Sequence, residues 1–230
     1  MSGEPFEIAF AALPRRTVIF PLAGVLLLPG GRLPLNVFEP RYLTMTLDAL
    51  GSGRMIGMVQ PRPEKRGTQG IEDSRVETLP RVYDQGCIGR IVSFNETEDG
   101  RLLITLVGVC RFRIQRELAV APGGYRQVEV DYDPFQADME EPARTTAIDR
   151  KRLLTCLKPY FTQHHITLNW KILDGFSDIA LVTAIAMLCP FDVREKQALL
   201  EVPTVEERWQ LLIALIEMDL LHAGGGGTTQ

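Results

Sequence analysis

The stretch IFPLAGVLLLPGGRLPLNVFEPRY, residues 19–42, decides how the chain is read. Pro21, Pro29, Pro34 and Pro40 interrupt it, as do Gly24 and the pair Gly30-Gly31. Proline removes a backbone donor and fixes φ, so a buried helix does not survive that spacing. The apolar content is too high for an ordinary solvated loop. What remains is a pair of short strands joined by turns. Thr17–Pro21 forms the first, Pro29-Gly30-Gly31 reverses the chain, and Arg32–Val37 forms the next. Pro34 cannot donate to a ladder, so the second strand lies at an edge or carries a bulge. Phe38-Glu39-Pro40-Arg41-Tyr42 then opens a helix of about Pro40 to Leu50, with proline in its first turn and Gly51 as its stop.

Working outward, short β-type runs bounded by turn residues dominate the first 136 residues. RRTVIF (15–20), RLPLNVF (32–38) and RMIGMVQ (54–60) come first. GCIGRIVSFNE (86–96) and RLLITLVGVCRFRIQRE (101–117) come next, with Asp99-Gly100 between them as a hairpin turn. YRQVEVDYDPF (125–135) alternates apolar and polar residues, as a half-buried strand does. The polar segment 61–75 reads as a mobile surface loop.

The character changes near residue 140, and from there the signals are helical. Leu153, Leu154, Leu157 and Phe161 recur at helix spacing, and Pro159 is expected to end or bend that helix. Ser177 caps DIALVTAIAML, which Pro190 closes. Asp192–Glu195 and Thr204–Glu207 have capping-box spacing, and Trp209, Leu212, Ile213, Ile216 and Leu220 share a face of the last helix. The expected organisation is an N-terminal tail (1–13), a β-rich subdomain (14–136), a linker (137–143), a helical subdomain (144–223) and a flexible Gly-rich tail (224–230).

At 230 residues the chain buries roughly 70–75% of its unfolded surface, enough for a core without staples. A net charge of −4 argues against a nucleic-acid partner. The longest apolar run, 179–191, is shorter than the about 20 residues a bilayer requires. The acidic N-terminus is unlike a signal peptide. The expectation is therefore a cytoplasmic protein with no membrane partner. Cys87, Cys110, Cys156 and Cys189 form no CxxC or zinc spacing and read as reduced, buried thiols.

A search for catalytic chemistry returns little. His164 and His165 are adjacent and so point apart, and His222 suits a helix C-terminus. No phosphate loop is present, and GSGRMIG (51–57) has its third glycine one place too late for a dinucleotide fingerprint. Cys87 lacks the positive surroundings that activate a thiol. The reading is a non-enzyme with no cofactor, no metal and no catalytic residues.

Together with the motifs downstream of it, IFPLAGVLLLPGGRLPLNVFEPRYLTM resembles the signature of the Lon protease N-terminal domain family, the Lon substrate-binding domain. YDQGCIGRIVSF (83–94), DGRLLITLVGVCRFRIQREL (99–118), YRQVEVDY (125–132) and PFDVREKQALLEV (190–202) match in the family's order. The similarity runs from about Pro14 to Leu221. It implies an α+β fold: a twisted, PUA-like β-rich pseudo-barrel of antiparallel or mixed strands with one inserted helix, joined to a helical bundle. Full-length Lon proteases continue into ATPase and serine–lysine protease modules. This chain has neither in its 230 residues and resembles a stand-alone recognition domain.

The resemblance implies a non-catalytic module that binds exposed or unfolded polypeptide segments weakly through an apolar surface. Its contact residues would be Leu26, Leu27, Leu28, Phe38, Glu39 and Arg41. Each has a plainer reading. The three leucines fill the barrel, and Glu39 and Arg41 pair with each other or cap the helix. Tyr42 reads as core, and Arg111 and Arg113 as a solvated strand face. The alternative function is an adaptor or scaffold that docks one dedicated protein, such as a protease.

Overall fold

A computed structural model describes residues 8–63, 79–140 and 148–225, with the side chains of 223–225 left out. Most of the expected 61–75 loop, part of the linker and residues 226–230 of the tail lie outside the described residues.

Six strands form one mixed sheet: β1 (Arg16–Pro21), β2 (Arg32–Val37), β3 (Met55–Val59), β4 (Gln85–Glu96), β5 (Leu102–Glu117) and β6 (Arg126–Asp131). Their order is β2-β5-β4-β3-β1-β6, and a further β5–β6 pairing curls the sheet back on itself. The long strand β5 makes this possible. Residues 102–107 pair with β2, and Arg113–Glu117 pair with β6. Five strands thus close a barrel, and β2 hangs from it as an edge. All pairings are antiparallel except β1 with β3, which run parallel. Glu129 of β6 bridges the closure, accepting from Arg16 of β1 at 3.1 Å and from Arg116 of β5 at 2.8 Å.

Helix α1 (Pro40–Gly51) is inserted between β2 and β3, with proline in its first turn. After β6, a 3-10 segment over Asp133–Met139 leads to α2 (Arg150–Gln163), α3 (Trp170–Leu173), α4 (Asp178–Leu188), α5 (Val193–Glu201) and α6 (Val205–Gly225). The Ser177 hydroxyl accepts from Ala180 N–H at 3.2 Å, and Asp192 and Glu195 complete a reciprocal capping box. One expectation fails in part: α2 runs through Pro159 and continues to Gln163. Proline removes one backbone bond there, while Leu153, Leu157, Tyr160 and Phe161 are all buried around it. That packing outweighs a single missing bond.

The main core crosses the expected subdomain boundary, joining Phe20, Leu26 and Tyr42 to Leu157, Ile185 and Leu212. A smaller cluster fills the barrel, around Ile19, Ile88, Phe112 and Val128. The N-terminal segment is part of this structure too, since Leu13 is buried and Ile8 and Phe10 pack on the smaller cluster.

Arg111 is the main correction to the expected pattern. It is only 5% exposed. Its guanidinium meets Asp138 two-on-two and also donates to the carbonyls of Leu200, Val202 and Pro203. One side chain thereby ties β5 to the 3-10 segment and to the α5–α6 connection. The strand face expected to be solvated is capped by the helical half. Arg113, two residues on, is exposed.

Candidate polypeptide-binding groove

The opening stretch builds one wall of a groove. Leaving β1, the chain is held by Leu22 N–H donating to Val59 at 3.1 Å, and by the buried Gln60 amide. That amide donates to Val25 C=O and accepts from Gly24 N–H, which has φ of +72°. Leu26, Leu27 and Leu28 then turn inward and are 3%, 2% and 0% exposed. Room for them comes from Gly89 of β4 and Gly108 of β5, which face each other in the ladder. A methyl group on Gly108 would sit 2.0 Å from Leu28 O, and one on Gly89 2.7 Å from Leu27 Cδ2. The leucines are therefore core, which corrects the expectation of an exposed leucine lip.

The turn after them is specified by PGG. Gly31 N–H donates to Leu28 C=O at 2.9 Å, Pro29 precedes, and Gly30 has φ of +74°. These are the marks of a type II turn. Gly30 N–H donates to Gly108 C=O while Gly108 N–H donates to Gly31 C=O, so two residues oppose one in a glycine bulge. The bulge delivers the chain into β2 against α4, with Gly31 so close that a methyl group there would lie 2.3 Å from Met187 Sδ.

Between the Pro29–Pro34 segment and α4 lies an open groove of about 700 Å³. Its β side is Gly31, Arg32, Leu33 and Pro34, and its helical side is Ile179, Ala180, Thr183, Ala184, Met187 and Leu188. The helix buries Leu181, Val182, Ile185 and Ala186 in the core and turns its other side to the groove. Leu188 remains 47% exposed. Arg32 is the one charged residue in the lining. The sequence pattern alone did not reveal this wall, although DIALVTAIAML carried the signal. A helix apolar all round has more apolar surface than one core face requires.

The other residues expected to bind, Phe38, Glu39 and Arg41, are not in the groove lining. Phe38 is 60% exposed, with the Arg101 guanidinium 5.8 Å from its ring centre. Glu39 and Arg41 pair at 2.9 Å, and the Glu39 side chain makes no helix cap. Tyr42 is buried against Phe20, ring centres 4.2 Å apart.

The nucleophile candidates are spoken for. Cys87 is fully buried in β4, where desolvation pushes its thiol well above the usual range. Cys110 is raised to about 12 by the same cause. A thiol in that state supplies no thiolate at neutral pH. His164 Nε2 lies 2.6 Å from Asp219 Oδ2 and so pins α2 to α6, while His165 turns away at φ of +54°.

A barrel and a helical bundle sharing one core, with an open apolar groove at their seam, define the architecture. The family model of the ATP-dependent protease La (LON) substrate-binding domain matches residues 16–218, and the chain belongs to that family. The crystal structure of a Lon N-terminal domain protein from Xanthomonas campestris is similar, with a TM-score of 0.56 and 25% identity over 86% of this chain and 97% of that one. The N-terminal domain of Mycobacterium avium complex Lon protease shares the fold at a TM-score of 0.56 and 19% identity, covering 88% of this chain and 98% of that one. Among curated sequences, Lon protease 2 of Myxococcus xanthus is 24% identical over 89% of this chain and 24% of its own length. Lon protease 1 of Hydrogenovibrio crunogenus is 27% identical over 90% of this chain and 25% of its own length. The chain spans about a quarter of these relatives. Among the described residues, no helix is long and apolar enough to cross a membrane.

Proposed function

We propose that this domain is a non-catalytic recognition module that binds exposed or unfolded polypeptide segments weakly, through the apolar groove between the Pro29–Pro34 segment and α4. The observation that carries the reading is the groove itself: an open apolar trough with a single charged residue in its lining. Membership of the substrate-binding family supports it.

Magnitudes constrain the affinity. One apolar side chain leaving water contributes about 1.5–3 kcal/mol, and association costs roughly 4–15 kcal/mol. At the favourable end of both ranges, four anchors in one groove give a dissociation constant of about a micromolar and three give one just under about a millimolar. Fluorescence anisotropy of a labelled, permanently unfolded polypeptide tests this, with a folded protein of similar size and charge as control. Saturable binding of the unfolded chain alone is expected. Absence of binding up to millimolar concentration refutes the proposal and leaves docking of one dedicated protein partner as the alternative.

A further inference from the structure

Resting on that reading, we propose that the free edge of β2 receives its partner as an added β-strand, and that Arg32 selects an extended apolar segment bearing a carboxylate. β2 ends the sheet and pairs with β5 alone, in unbroken register from Arg32 opposite Val107 to Val37 opposite Leu102. Gly108 donates to Gly31 at the head of this ladder. In an antiparallel pair the bonded positions alternate, so Leu33, Leu35 and Val37 face β5. The backbone groups of Arg32, Pro34 and Asn36 face away. Proline has no N–H, so the edge offers two donors and three acceptors. No other group among the described residues uses them. A strand laid on this edge would run along the groove, and its alternate side chains would fall against α4.

Arg32 supplies the selectivity. It is exposed, lines the groove, and has no ion pair or hydrogen bond among the described residues. Arg41 and Arg116, by contrast, are already paired with Glu39 and Glu129. A guanidinium takes a carboxylate in a planar two-bond grip that a lysine partner cannot offer. A segment with apolar residues two apart and an aspartate or glutamate beside them is complementary to edge, trough and cation together.

Four fluorescein-labelled peptides test this on the full chain. The first alternates valine and threonine with one flanking glutamate, and the second has lysine in place of that glutamate. The third and fourth are the glutamate peptide N-methylated at alternate residues, one in each register. The glutamate peptide is expected to bind about fivefold tighter than the lysine peptide, with the preference reversed in Arg32→Glu. The N-methylated register that blocks the β2 edge is expected to lose at least about tenfold. Circular dichroism verifies the fold of Arg32→Glu, whose side chain is exposed. Equal binding of all four peptides, with the unfolded polypeptide still bound, overturns strand addition and leaves the recognition reading standing. Failure of every peptide and of the unfolded polypeptide overturns both. A dimer in sedimentation that Asn36→Pro abolishes also overturns the proposal, because the edge would then hold a second copy.

Discussion

Gly89 and Gly108 face each other across the β4–β5 ladder, and their missing side chains open the slot that Leu27 and Leu28 fill. The two glycines differ in what they face. A methyl group on Gly108 meets the Leu28 carbonyl oxygen at 2.0 Å, which moves only if the backbone moves. One on Gly89 meets a leucine methyl at 2.7 Å, which a rotamer change relieves. Gly108→Ala is expected to destabilise by about 1–3 kcal/mol, and Gly89→Ala by less. Urea unfolding of both variants tests the order. Equal stability of Gly108→Ala and the native protein would show that the slot is not filled as described.

The Arg111–Asp138 pair makes a second prediction. Arg111 and Asp138 side chains are 6% and 9% exposed. Removing one partner leaves the other charged and buried, which typically costs about 3–5 kcal/mol. Arg111→Ala also strips donors from Leu200, Val202 and Pro203. It is expected to lower stability by that amount and to loosen α5 and α6 from β5. Hydrogen exchange at the α5–α6 connection measures the second effect independently of global unfolding. Unchanged protection there would mean the guanidinium does not join the halves.

Glu129 makes a prediction about acid. The hydrogen bond from Arg116, with Arg16 adding to it, holds its carboxyl down at about 2, against an ordinary value of 4.5. A carboxyl depressed on folding contributes stability that is present above the ordinary value and is lost as pH falls through the folded one. The window is therefore from 4.5 down to about 2. Carbon-detected NMR titration should find Glu129 still ionised at about pH 3, and Arg116→Ala should return it toward the ordinary range. Titration in the ordinary range in the native protein would remove the β5–β6–β1 bridge as a feature in solution.

Much of the fold was legible in the chain. Prolines and glycines punctuated the opening stretch so tightly that only an edge strand, a PGG turn and a helix start at Pro40 could satisfy them. The Asp192–Glu195 box and Ser177 marked helix starts because capping is local chemistry. The illegible parts depended on distant partners. Leu26, Leu27 and Leu28 read first as barrel filling and second as a contact surface, and their own stretch could not decide, since the slot that buries them belongs to glycines some 60 to 80 residues further along. Arg111 read as a solvated strand residue because its ligands lie on the 3-10 segment and the α5–α6 connection. Pro159 was read by its backbone rule, whereas the packing of α2 decided the outcome. None of the residues expected to bind lines the groove: one wall is PGGRLP, read only as a turn and an edge strand, and the other is a helix with a second apolar face.

Backbone amide NMR of the labelled protein, titrated with an unlabelled unfolded polypeptide, tests the groove most directly. Shift changes are expected at residues 31–33 and 179–188, saturating together with a micromolar-to-millimolar dissociation constant. Met187→Glu, which puts a charge into the trough, is expected to abolish them while the rest of the spectrum is kept. Saturable changes confined to Phe38, Glu39 and Arg41, or to any face that excludes α4, would contradict the assignment of the groove as the binding site.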